Sequence, residues 1–237
     1  EGHHQGMTDS KPVPGKAAAR GTAEKEEIFT DFSSFFHERI RILFTDKFHC
    51  KMKRKHQFES IVAETLLIPL YYRAKESRRR HPVLNDEAAE RLAESLEYDY
   101  SRFDGAKLSE VGCVVRGWYF DRAVRRFIGT HARPVVVNVG CGLDTRFQRI
   151  GGGKAVFYDM DLPEVIALRR ELIPEQPGNA YIAASLLETG WMDDLLRRHP
   201  DAEFIFIVEG VLMYFYEKQV RSFLHAVVSR FGGGELW

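Results

Sequence analysis

The chain has 237 residues, enough for one sizeable core with an appended helical layer. Lys and Arg number 34 and Asp and Glu 34, so the net charge of +0 supplies no broad basic surface for nucleic acid or an anionic membrane. The composition is that of an ordinary globular protein, and no apolar run approaches the roughly 18 residues that span a bilayer.

Glu1–Gly6 (EGHHQG) reads as tag or vector residue, and Thr8–Lys25 as a mobile arm. From Ile28 the residues Phe29, Phe32, Phe36, Ile40 and Leu43 fall three or four apart, an apolar stripe of a helix. Lys47–His56 is basic but lacks the interleaved aromatics of a single-strand binder, so a solvated face or lid is expected. Thr65–Arg73 is apolar with Pro69 at its middle, which predicts a kinked helix or two short pieces. Asp86 is placed to cap a helix over Glu87–Glu97 whose apolar face is Ala89, Leu92, Ala93 and Leu96. A further helix is predicted over Ser109–Ile128, with Val111, Val114 or Val115, Trp118 and Val124 inward. Arg116 lies within it, where an arginine is ordinarily solvated.

Strand–helix alternation then begins. The predicted strands are Pro134–Val139, Ala155–Met160, Asn179–Ala184, Glu203–Val208 and Glu235–Trp237. The helices between them are predicted from Leu162 to Leu172, Trp191 to Arg198 and Glu217 to Phe231, the last with Val220, Phe223, Leu224, Val227 and Val228 inward. Right-handed crossovers make such a series a parallel sheet with helices on both faces, and ligands bind beyond the carboxyl ends of its strands. The division expected is a tag remnant and arm over 1–27, a helical region over 28–130 and an α/β core over 131–237.

Pro134–Val139 runs directly into Gly140-Cys141-Gly142. Gly140 permits a tight turn, and Gly142 removes a side chain that would block close approach of the backbone to a ligand. The third glycine of a dinucleotide fingerprint is replaced by Thr145, which argues against NAD or FAD and against a nucleotide-dependent oxidoreductase. Asp161 follows the turn at about the spacing at which an acid accepts hydrogen bonds from ribose hydroxyls, although it is also placed to cap the next helix. Asp159 competes, but alternation along the strand points it to a face of the sheet. Cys50, Cys113 and Cys141 have no metal-like spacing and fit a reducing cytosol; the expectation is a cytoplasmic protein without a metal.

The segments NVGCGLDTR, YDMDLPEVIALR, AASLLET and VEGVLMYF, in this order, resemble the leucine carboxyl methyltransferase family, which includes O-methyltransferases of polyketide biosynthesis. ETLLIPLYYRAKES and the helix holding Arg116 resemble its helical N-terminal part, so the likeness runs from about Glu64 onward. It implies a Rossmann-like class I S-adenosylmethionine (SAM) fold and an O-methyltransferase acting on a carboxyl or phenolic oxygen of a small molecule. Arg116 would then hold the cofactor's methionine carboxylate, with Arg73 assisting, and Gly140 and Gly142 would pass beside the methionine part. Asp161 would bind the ribose and Ser185-Leu186 the adenine, where Ser185 replaces the family's usual Asp. Glu209 would sit near the sulfonium. No His stands in a motif position, which favours an acceptor that ionises by itself. Tyr214 and the run Arg73–Arg80 are expected at the acceptor side.

The family's sheet carries two more strands than the chain has room for. The expectation is therefore that further residues, a second chain or an oligomer covers strand five. The rival readings are a non-catalytic SAM-fold binding protein, or one part of a heteromeric methyltransferase.

Overall fold

The computed structural model describes residues 61–237, so the arm, the aromatic stripe from Phe29 and the basic run Lys47–His56 lie outside the described residues. Helix α1 (Ile61–Ser77) continues through Pro69 instead of splitting there. A proline removes a helical hydrogen bond, and here the C-terminal half is fastened from outside. Tyr72 donates to the Phe103 carbonyl at 3.0 Å, and Glu76 accepts from Val83 N–H at 2.8 Å. Helix α2 (Glu87–Ser95) starts at Asp86, whose Oδ1 accepts from Ala89 N–H at 2.9 Å, as its cap position requires. A 3₁₀ turn (Tyr100–Phe103) leads into the long helix α3 (Lys107–Thr130).

On α3 the inward face is Val114, Gly117, Asp121 and Val124, while Val111 is 55% and Val115 47% exposed. The expected face was thus turned toward the valines. The spacing 114-117-121-124 is as regular a helical stripe, and it carries a carboxylate.

The five strands β1 (Pro134–Val139), β2 (Val156–Asp161), β3 (Asn179–Ala183), β4 (Glu203–Ile207) and β5 (Glu235–Leu236) are all parallel, in the order β3-β2-β1-β4-β5. β1 is central, pairing Val136 with Phe157 on one side and Ile205 on the other, and all six of its residues are buried. Its alternation sorts the core. Val135, Val137 and Val139 pack with Trp191, Met192 and Leu195 of α6 (Gly190–Arg198) and with Phe223 and Val227 of α7 (Glu217–Arg230). Val136 packs with Val124 and Phe127 of α3. Burying each such side chain contributes about 1.5–3 kcal/mol. A separate cluster joins α1 and α2 through Leu67, Leu70, Ala89 and Leu92, with Leu143 from the turn after β1.

A short helix α4 (Arg146–Ile150), which the sequence does not mark, follows that turn. Helix α5 (Pro163–Leu172) takes Leu162 as its cap position, because Pro163 fits the first helical place. Asp161 therefore closes β2 and does not cap α5. On α7, Val228 is 71% exposed and not part of the inward face. Helices cover both faces, and strand order reverses between β1 and β4, which opens a crevice at the strands' carboxyl ends.

Candidate functional site

That crevice holds a cavity of about 660 Å³, within the range of ligand pockets. Arg73, Arg116, Gly140, Gly142, Asp161, Ser185, Leu186 and Glu209 all line it, brought from α1, α3 and the ends of four strands.

The glycine turn is built from backbone and buried charge. Gly140 and Gly142 have φ of +67° and +48°, which favours glycine at both places. A Cβ on Gly140 would stand 2.2 Å from Val211 Cγ2, and one on Gly142 would stand 2.9 Å from Leu66 Cδ2. The loop after β4 and helix α1 thus press on the turn from two sides. Arg169, fully buried on α5, donates to the Gly142 carbonyl at 2.9 Å and to Asp159 Oδ2 at 2.7 Å. Arg73 donates to the Leu143 carbonyl and to Asp86 Oδ2, each at 3.0 Å. Its guanidinium is bonded to the protein itself, so Arg73 holds the turn.

Asp161 receives Gly142 N–H on Oδ2 at 2.8 Å and Leu162 N–H on Oδ1 at 2.7 Å. Burial pushes its carboxyl pKa up, against those two amides and the Arg169 charge. Two amides leave other lone pairs of the carboxylate open to the cavity. Ser185 Oγ accepts from Leu187 N–H at 3.2 Å, a short turn that shapes the loop after β3, and Leu186 is buried in the core beside Trp191. Asp159 points to the sheet face, where Asn138 and Asn179 also donate to it.

Glu209 is held by two arginines. Arg116 Nε donates to Oε1 at 2.8 Å and Arg146 Nη2 to Oε2 at 2.6 Å. Behind this pair lies a buried ionic lattice. Arg146 Nε and Arg149 Nε donate to Asp121 Oδ1 and Oδ2, each at 2.9 Å. Arg149 Nη1 donates to Asp86 Oδ2 at 2.7 Å and Asp144 Oδ1 at 2.8 Å, and Thr145 Oγ1 donates to Asp86 at 2.6 Å. Sequence reasoning found neither Arg146 and Arg149 nor Asp121. The signal available was Asp121 standing in the apolar stripe of α3.

Asp144 is drawn in two directions. Burial raises its pKa, but the guanidinium groups of Arg146, Arg149 and Arg73 outweigh that and hold the carboxyl well below the usual aspartate range. A depressed folded pKa gives stability that is present above the unfolded value of about 3.9 and lost as pH falls below it. The melting temperature should therefore drop steeply below about pH 4. Asp144→Asn should flatten that acid limb; an identical acid limb in the variant would show that Asp144 contributes nothing to it.

Much of the remaining lining is apolar or aromatic, with Leu66, Ile68 and Pro69 of α1 and Met213, Tyr214 and Phe215 from the segment after β4, and Thr65, Asn138, Asp144 and Gln219 add polar groups. Burial raises the Tyr214 phenol pKa against the lowering effect of Arg116, so it is a hydroxyl at neutral pH. Among the described residues no histidine lines the cavity. The run after Arg73 does not line it either. Arg78 and Arg79 face solvent and pair with Glu94 and Glu110, because the last turn of α1 points away from the crevice. Among the described residues no cluster of His, Cys, Asp or Glu suits a metal, and no helix is long and apolar enough to cross a membrane.

A doubly wound parallel sheet with an acid and a glycine turn facing one crevice defines a cofactor-binding α/β protein. The family model for Leucine carboxyl methyltransferase matches residues 67–228, and the chain belongs to that family. It is 35% identical over 168 residues to the tetracenomycin polyketide synthesis O-methyltransferase TcmP of Streptomyces glaucescens, covering 70% of this chain and 61% of that protein. It is 27% identical over 183 residues to the S-adenosyl-L-methionine-dependent methyltransferase dpfgK of Gibberella zeae, covering 71% and 61%. The chain thus spans about three fifths of the length of these curated relatives. The crystal structure of human N-acetylserotonin methyltransferase in complex with SAM aligns at a TM-score of 0.38 and 14% identity, over 76% of this chain and 49% of that one, too loosely to bear on the site.

Proposed function

We propose that the cavity binds SAM and that the chain serves an O-methyltransferase acting on a carboxyl or phenolic oxygen of a small molecule. The observation that carries this reading is the gathering of all eight expected residues around one cavity from six places in the chain. The residues fit the cofactor chemically. Arg116 and Glu209, side by side, match a carboxylate and an ammonium, and Asp161 retains acceptor capacity for vicinal hydroxyls. Ser185 offers an uncharged acceptor to an adenine amino group, and Leu186 an apolar contact.

When bound, SAM supplies a methyl group activated on a sulfonium. The chain's part is to orient donor and acceptor in line and to exclude water. Leu66, Ile68, Pro69 and Phe215 would form an apolar wall against an apolar or aromatic acceptor. With no histidine among the described lining residues and Tyr214 protonated, the lining favours an acceptor oxygen that ionises by itself, as a carboxylate does. On this reading the helical region through Thr130 covers the α/β core that follows. The free thiols of Cys113 and Cys141 support a cytoplasmic setting.

The test is binding of S-adenosylhomocysteine, the demethylated product. A ligand that binds only the folded chain raises the melting temperature by mass action, and about 2.7 kcal/mol of stabilisation is expected at a hundredfold excess over its dissociation constant. No heat of titration and no thermal shift at millimolar ligand would count against the proposal. Binding without methylation of any carboxylate or phenol would favour a binding protein instead.

A further inference from the structure

Glu209 has two holders of very different standing. Arg116 lines the cavity, and its side chain is 40% exposed. It lies against Gly210, where a Cβ would stand 3.4 Å from Nη2, in ordinary van der Waals contact. Arg146 does not line the cavity and is 1% exposed. Its fork is fixed on three further sides: Nε donates to Asp121 at 2.9 Å, Nη1 to Asn138 Oδ1 at 2.9 Å, and Nη1 lies 3.2 Å from Asp144 Oδ2. A guanidinium with every edge engaged cannot follow a ligand. One that reaches the same carboxylate from the cavity side can.

We infer that Arg146 is a positioning residue. It keeps Glu209 fixed in place while Arg116 leaves Glu209 Oε1 for the carboxylate of an incoming amino-acid group, so that Oε1 becomes the acceptor for that group's ammonium. This rests on the SAM reading above and assigns a role to a residue that never touches the ligand. A surface pair could not do this, because losing Arg116 would leave a lone carboxylate free to change rotamer. With Arg146 in place, Arg116 can change partners while Glu209 keeps one charge-assisted hydrogen bond.

The inference separates two ligands. S-adenosylhomocysteine carries the amino-acid group; 5′-methylthioadenosine has the same nucleoside and lacks it. Arg146→Lys keeps the charge but replaces the fork by a point donor that cannot serve Asp121, Asn138 and Glu209 together. The expected result by calorimetry is a loss of about ten- to a hundredfold in S-adenosylhomocysteine affinity. Methylthioadenosine affinity should stay within about twofold of wild type. In a Glu209→Gln background, Arg146→Lys should add little further loss, since both changes act through one carboxylate. Should Arg146→Lys fail to fold, the pair Arg146→Met with Asp121→Asn removes opposite charges together, and the same selective loss is expected. Equal weakening of both ligands, or additive losses in the Glu209→Gln background, would mean Arg146 is merely structural and would overturn the inference. Wild-type protein that binds neither ligand overturns the SAM reading and this inference with it. Binding of both ligands with an unselective variant overturns this inference alone.

Discussion

Asp121→Ala is expected to lower the free energy of unfolding by about 3–5 kcal/mol, the largest single-residue effect on stability anticipated here. Asp121 is fully buried on α3 and accepts from Arg146 once and from Arg149 twice, at 2.9–3.0 Å. Its removal leaves two guanidinium groups in the interior with a share of their charge unmatched, and water cannot reach them. The surface pair Arg133–Asp201, with side chains 65% and 66% exposed, is the natural control, since such pairs contribute about 0–1 kcal/mol. Urea unfolding of Asp121→Ala and Asp201→Ala would compare the two directly. A change below about 1 kcal/mol for Asp121→Ala would mean that the arginines find other partners and that the lattice is not a structural unit.

The second large effect falls on ligand binding. Asp161→Ala should weaken S-adenosylhomocysteine by about 30- to 150-fold, from the loss of about 2–3 kcal/mol of charge-assisted hydrogen bonds. The same change frees Gly142 N–H and Leu162 N–H, so a lower melting temperature is expected as well. The two effects are separable by measuring affinity well below the variant's melting point. A variant that melts lower yet binds the ligand as wild type does would make Asp161 only the clasp of the glycine turn.

The parts of this site that were legible in the sequence share a cause. A run of valines ending in Gly140-Cys141-Gly142 announces a buried strand and a tight turn, and an acid at the end of the next strand lies close by whatever the side chains do. Strand ends at a topological switch converge because of the backbone, so Asp161, Ser185 and Glu209 could be placed together from strand positions alone. The lattice was not legible for the converse reason. Arg149 meets Asp86 across 63 positions and Asp121 across 28, and no periodicity links them. On α3 the valines at 111 and 115 suggest an inward face that the structure leaves exposed, while the buried Asp121 carries no signal in an apolar pattern. The correct stripe holds a carboxylate because the facing α4 brings the two arginines that neutralise it. Arg73 has hydrogen bonds just as remote in sequence: it lines the cavity as expected, and it also donates to Asp86 and to the Leu143 carbonyl.

The depth of that lattice has a consequence for how the molecule answers to its medium. Mobile ions weaken attraction between exposed charges beyond a Debye length of about 8 Å at physiological salt, but they reach buried pairs far less. Arg78–Glu94 and Arg221–Glu217 stand in that ionic atmosphere, whereas the side chains of Arg149 and Asp121 are 1% and 0% exposed. The buried frame behind the crevice is thus insulated from changes in salt that relax the outer surface, and concentrated and dilute brine should leave that frame alike.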